Sequence, residues 1–203
     1  GRILVEHGAR GTYFVSFELL DSESVSGRIA SLRDVESAVR DGHELGCHTF
    51  SHLDGSKVSA VDFERSIAAN RTALNSNNID SPFSVFAYPL NGPAVQTKQV
   101  SARHFVACRG GGQTFNRELI DLNLLKAYFV DRRTTNKLNE IKRLVDENAA
   151  ANGWLIFATH DVSEAPSAYG CTPEYFQEIV KVSVSSGAKV LPMAQVCEEL
   201  GVQ

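Results

Sequence analysis

The chain has 203 residues, 43% of them hydrophobic and 22% charged, which fits one globular domain with a full core. A net charge of −4 gives no basic footprint for nucleic acid or for an anionic membrane surface. No apolar run approaches the ~20 residues that a membrane-spanning helix needs. No signal peptide opens the sequence, so the compartment stays open. Cys47, Cys108, Cys171 and Cys197 have no CxxC spacing and read as four buried free thiols rather than a disulfide framework. Asn70-Arg71-Thr72 is a glycosylation sequon by pattern only, because it falls inside a predicted helix.

In chain order, residues 1–8 read as the tail of a helix that Gly8 ends. Residues 11–17, rich in aromatic and β-branched side chains, read as a buried strand, and a polar loop follows through about Arg28. Ser31 with Asp34 has capping-box spacing and opens a helix that closes near Gly42. A short strand covers His43–Cys47. Ser59 with Asp62 repeats the cap, and the helical period runs to about Asn75. Ser84–Tyr88 is a strand stopped by Pro89. A helix over 94–103, a strand over His104–Cys108 and a strand within Leu122–Val130 come next. Arg109-Gly110-Gly111-Gly112 is a turn without the lysine of a nucleotide loop. Residues 135–151 are a helix by period. Trp154–Thr159 is a continuous apolar run, as expected of a strand buried on both faces. Thr172, Pro173 and Glu174 open a further helix, Gly187 closes it, and a last strand over 188–191 and a last helix over 193–200 end the chain.

Strand and helix alternate throughout residues 1–203, which argues for a single α/β domain with a parallel sheet wrapped by helices. In such folds chemistry gathers at the C-terminal ends of the strands. His48 and His52, the turn Tyr88-Pro89-Leu90, and His160-Asp161 all fall there. A helical turn after the strand would put His48 and His52, four residues apart, on one face. Two neutral imidazoles meeting at one point can hold a divalent transition metal. Thr49 stands where a metalloprotease HExxH has glutamate, and no GxSxG elbow is present for a serine hydrolase.

Four stretches carry a resemblance to a known family. They are Gly8–Val15, Gly42–His52, Phe86-Ala87-Tyr88-Pro89-Leu90, and Leu155–Asp161. Together the chain resembles the polysaccharide deacetylases of NodB homology, metal-dependent carbohydrate esterases. The resemblance implies a distorted (β/α) barrel of about seven parallel strands. It implies a hydrolase that removes N- or O-acetyl groups from an acetylated oligo- or polysaccharide. His48 and His52 would hold a divalent ion, zinc or similar, and His160 would be the general acid. Tyr88, Pro89, Leu90 and Asp161 would line the substrate side. Family members are often secreted or periplasmic.

The chain also departs from the pattern. The family's first strand ends in an aspartate pair, the general base and the third metal ligand, and no such pair is present. The resemblance therefore implies a strand upstream of Gly1, with Asp54 as an alternative third ligand. Ala87 stands at the groove motif's arginine, and Ala158 at the acetyl-pocket leucine. Asp131 is the candidate for the aspartate that tunes the catalytic histidine. The alternative reading is a carbohydrate-binding relative with the same fold and impaired catalysis. A purely structural α/β domain is disfavoured by the clustering at strand ends.

Overall fold

The computed structural model describes residues 1–202. Its parallel strands are β1 (Thr12–Val15), β4 (Glu44–Cys47), β5 (Val85–Ala87) and β6 (Ala107–Arg109) in one sheet, and β7 (Tyr128–Phe129) and β8 (Phe157–Ala158) in another. Within each sheet, every parallel strand pairs with the next parallel strand in the sequence. A parallel bridge between Arg109 and Leu125 carries the arc from the first sheet toward the second. A sequential, all-parallel order is that of a (β/α) barrel and has no switch point of the doubly wound kind. The described strands form an open arc of six parallel strands.

Three expectations are corrected here. Residues 188–191 form no strand, and the polar loop before Arg28 contains a small antiparallel hairpin, β2 (Glu23–Ser24) with β3 (Gly27–Arg28). The Trp154–Thr159 run is only partly buried, and just Phe157–Ala158 is strand. Strand β8 pairs with β7 alone, at the end of the arc, so a run apolar enough for two covered faces is covered less than its composition suggests.

The helices are α1 (Arg2–Glu6), α2 (Leu32–Arg40), α3 (Ala60–Ser76), α4 (Val95–His104), α5 (Leu138–Ala150), α6 (Pro173–Ser185) and α7 (Met193–Glu199). Their starts follow the sequence signals. Ser31 and Asp34 close a reciprocal capping box, Ser59 accepts from the Asp62 amide, and Thr172 from the Tyr175 amide. Gly8 and Gly187, at φ 70° and 81°, end α1 and α6. Phe86 sits at the middle of the largest core cluster, stacked on Phe105 at 5.0 Å and edge-on to Phe63 and Tyr88. All four cysteines are buried and free.

Asn70 is fully buried on α3, which rules out its sequon as a modification site in the folded chain. Its amide nitrogen donates to the Val15 carbonyl at 2.8 Å, and its oxygen accepts from the Phe17 amide at 3.0 Å. It thereby ties the C-terminal end of β1 to α3, directly below the loop that carries the histidines. Asn70→Ala leaves a buried N–H and a buried C=O without partners, at about 1–3 kcal/mol each. The expected loss is about 3 kcal/mol in urea unfolding, with an unchanged m-value. A loss under about 1 kcal/mol would mean that water or a neighbour replaces the amide.

Candidate metal and catalytic site

His48 follows β4 directly. The chain there does not turn helically, as expected from the spacing, but runs as an irregular loop over 48–54. Two residues in it take left-handed backbone, Thr49 at φ 59° and His52 at φ 55°. For β-branched Thr49 that is a strained conformation, and the surroundings hold it. The His48 amide donates to Val15 O, Ser16 Oγ to His48 O, the Phe50 amide to Ser66 Oγ, and the Leu53 amide to Thr49 Oγ1. The two kinks, rather than a helical turn, bring the rings together at 4.8 Å between centroids and 73° between planes. Two imidazoles bound to one ion through nitrogens about 2.1 Å away have ring centres about 5 Å apart, so the spacing fits a shared metal.

The tautomer of His48 follows from its partner. Nδ1 lies 2.7 Å from the Ala87 carbonyl, which can only accept, so Nδ1 carries the proton and Nε2 presents a lone pair. A backbone carbonyl behind a ligating histidine is the usual second support of a metal site. Burial, then Arg109 and His52, hold His48 well below its ordinary pKa, and burial, then His160, lowers His52. Both rings are therefore neutral near pH 7, as metal ligands must be. The residues present fit two positions of a metal site. Among the described residues no third histidine, cysteine or carboxylate joins them.

Asp54, the alternative third ligand, is committed elsewhere. Its carboxylate accepts from the Ser56 amide and hydroxyl and pairs with Lys57 at 3.2 Å. Asp131, two residues past β7, is buried and held by Arg133 through its amide and guanidinium. Burial works to raise the Asp131 carboxyl, but the Arg133 hydrogen bonds outweigh it and hold it below the usual range.

His160, two residues past β8, stands at the same end of the arc, near enough for its charge to lower both His48 and His52. It is exposed at the rim, with Nδ1 3.3 Å from the Tyr169 carbonyl. Although one edge of the ring meets solvent, the partial loss of water around the rest lowers its pKa; the Tyr169 carbonyl opposes that shift, Arg109 adds to it, and Asp161 and Asp131 oppose it. Asp161 accepts from the Ser167 amide and hydroxyl, each at 2.6 Å, and so shapes its own loop. Gly170 is needed there, since a Cβ would lie 2.1 Å from Asp161 O.

Tyr88 is buried, its hydroxyl donating to Asn123 O at 3.1 Å, and Pro89 is buried beside it. Leu90 is the member of this turn that meets solvent, in left-handed backbone at φ 56°.

Arg109 is the last residue of β6 and lies in this cleft, not in the glycine turn that its sequence neighbours suggest. Its guanidinium is 5.0 Å from the Phe14 ring and 5.6 Å from the Phe129 ring. Gly46 makes room for that arrangement, since a Cβ would lie 2.4 Å from the Phe14 ring. The available signal was a charged residue at the C-terminal end of an apolar parallel strand.

Comparison with known proteins gives the family. The chain covers fully, and aligns to 83% of, a family 4 acetyl xylan esterase from Clostridium thermocellum in complex with a cobalt ion, at 18% identity and TM-score 0.66. It likewise covers fully, and aligns to 83% of, the Xyl-CE4 domain of a multidomain xylanase from the hindgut metagenome of Trinervitermes trinervoides, at 15% identity and TM-score 0.62. A CE4 family pseudoenzyme from Bacillus anthracis matches over 96% of this chain and 57% of its own, at 13% identity and TM-score 0.56. These likenesses are of fold. The chain spans 36% of the length of a Bacillus cereus polysaccharide deacetylase that it also matches. No curated protein matches the sequence. The family model described as polysaccharide deacetylase matches residues 2–106, slightly more than half of the chain. With the sequential parallel arc and the paired histidines at its C-terminal end, this places the chain in the polysaccharide deacetylase family.

Proposed function

We propose that the cleft is a metal-dependent deacetylase site acting on N- or O-acetyl groups of a carbohydrate. The observation that carries this reading is the His48–His52 pair, neutral and 4.8 Å apart, with the His48 Nε2 lone pair fixed by the Ala87 carbonyl. His48 and His52 would hold a divalent ion, zinc or a similar metal. When bound, such an ion polarises a carbonyl and lowers the pKa of a water. His160 sits across the cleft as the proton donor to the leaving nitrogen or oxygen. Leu90 meets the sugar at the rim, while Tyr88 and Pro89 hold its turn from below. Asp161 acts through the loop that positions His160 and Tyr169.

The second reading is a carbohydrate-binding relative with impaired catalysis. It is favoured by one observation: Asp54 and Asp131 are each already paired, with Lys57 and with Arg133. The test is acetate release from N-acetylated chito-oligosaccharides and from acetylated xylan, with zinc or cobalt added. Under the first reading release is slow, stops with a chelator and returns with metal. Metal binding with no acetate from either substrate would leave the second reading standing.

A further inference from the structure

The rim beside His160 carries two features that the proposed reaction does not use. The first is Tyr169, whose ring centre lies 5.6 Å from that of His160, with 59° between the planes. Tyr169 is 45% exposed, which leaves much of its ring open to solvent next to the proposed proton donor. The second is a hollow of about 270 Å³ between the loops that follow β7 and β8. Arg132 and Thr135 border it from one loop, and Pro166, Ser167, Ala168 and Gly170 from the other. Tyr169 and the hollow therefore share the strip of residues 166–170.

That strip is fixed by hydrogen bonds. Asp161 accepts from the Ser167 amide and hydroxyl, and Ser167 Oγ accepts from the Tyr169 amide at 3.1 Å. The Tyr169 carbonyl accepts from the His160 amide and faces its Nδ1, each at 3.3 Å. The Arg132 amide donates to the Ala168 carbonyl at 3.2 Å, which ties the two loops together. A surface held in this way is preformed, so a ligand need not order it. A lone exposed aromatic is ordinary on any protein, but this one is held beside the proposed acid and adjoins a concave, polar surface.

We infer that Tyr169 is the stacking platform for the sugar unit next to the reacting one, and that the sugar chain continues from it into the hollow at Arg132. The inference rests on the carbohydrate reading proposed above and narrows it: the substrate is an oligomer or polymer rather than a monosaccharide. A pyranose ring presents a face of C–H groups and an edge of hydroxyls. The C–H face packs on the electron-rich face of an aromatic ring. The hydroxyls need polar partners, which the hollow offers in the Arg132 guanidinium and the Thr135 and Ser167 hydroxyls.

The test measures binding by the metal-free chain, so it does not depend on turnover. Tetra-N-acetylchitotetraose and an acetylated xylotetraose are titrated by calorimetry, and the acetylated monosaccharide of each by NMR. One tetrasaccharide should bind at least about 10-fold more tightly than its monosaccharide, the size of one good stacking contact. Tyr169→Ala should remove most of that gain and leave the monosaccharide little changed. Tyr169→Phe should bind as the parent does, because the ring and not the hydroxyl makes the contact. Arg132→Ala should also weaken the tetrasaccharide alone. Loss of packing against His160 would instead weaken mono- and tetrasaccharide alike. Thermal melts identify a variant that fails to fold, and the Tyr169 ring resonances of the unaltered chain then decide, since they should shift along the tetrasaccharide saturation curve. No binding of either tetrasaccharide, a folded Tyr169→Ala or Arg132→Ala that keeps the full gain, or equal losses in Tyr169→Phe and Tyr169→Ala would each overturn the inference. Tyr169-dependent binding in a chain that releases no acetate would sink the deacetylase reading and leave the sugar site standing. Acetate release whose preference for longer chains survives Tyr169→Ala would do the reverse.

Discussion

Replacing His160 by alanine is expected to lower acetate release from N-acetylated chito-oligosaccharides by about 10²–10⁴-fold, the usual contribution of a positioned proton donor. An amine leaves poorly as an anion, so the step depends on the proton that His160 supplies. The Nδ1 contact with the Tyr169 carbonyl fixes the ring and leaves Nε2 as the nitrogen free to carry that proton. An activated aryl acetate, whose leaving group needs no proton, should lose far less with the same variant. That contrast separates proton donation from a general disturbance of the cleft. His160 is exposed, so the fold should survive the change with unfolding free energy within about 0.5 kcal/mol of the parent. Equal losses on both substrates, or no loss on the amide, would remove His160 from the role of acid.

Replacing His48 by alanine is expected to weaken zinc or cobalt binding by about 100-fold or more, since half of the protein ligands go with it. His52→Ala should do the same, because neither ring holds the ion alone. The parent chain should itself bind modestly, two neutral imidazoles being fewer than the three protein ligands usual in catalytic zinc sites. Cobalt absorption and zinc competition titration read both effects. The His48 side chain also donates to the Ala87 carbonyl, so His48→Ala should cost about 1 kcal/mol of stability besides. Parent-like cobalt binding by both variants would place the metal elsewhere, and no binding by the parent would remove the metal reading.

Sequence alone determined the elements whose signals are local. The Ser31–Asp34, Ser59–Asp62 and Thr172–Pro173 starts act within one turn, and all three helices begin there. The strand–helix alternation was equally legible and yields the parallel arc, because a parallel neighbour requires a crossover. So was the placing of His48 and His160 at strand ends, which follows from where the apolar runs stop.

What only the tertiary structure decided depends on partners distant in sequence. Residues 188–191 look like a strand but pair with nothing as one, and the Trp154–Thr159 run is covered less than its composition implies. The histidine rings meet through left-handed Thr49 and His52, in a loop held by Val15, Ser16 and Ser66. The i, i+4 spacing suggested the meeting but named the wrong conformation for it. Tyr88 is buried against Asn123, a contact 35 residues away. Arg109 is brought between Phe14 and Phe129 by strands 95 residues apart along one flank, a juxtaposition that spacing does not encode. Local rules fix an element through hydrogen bonds within a few residues, whereas the charge state and partners of a site are set by whichever side chains the arc of strands brings to one end.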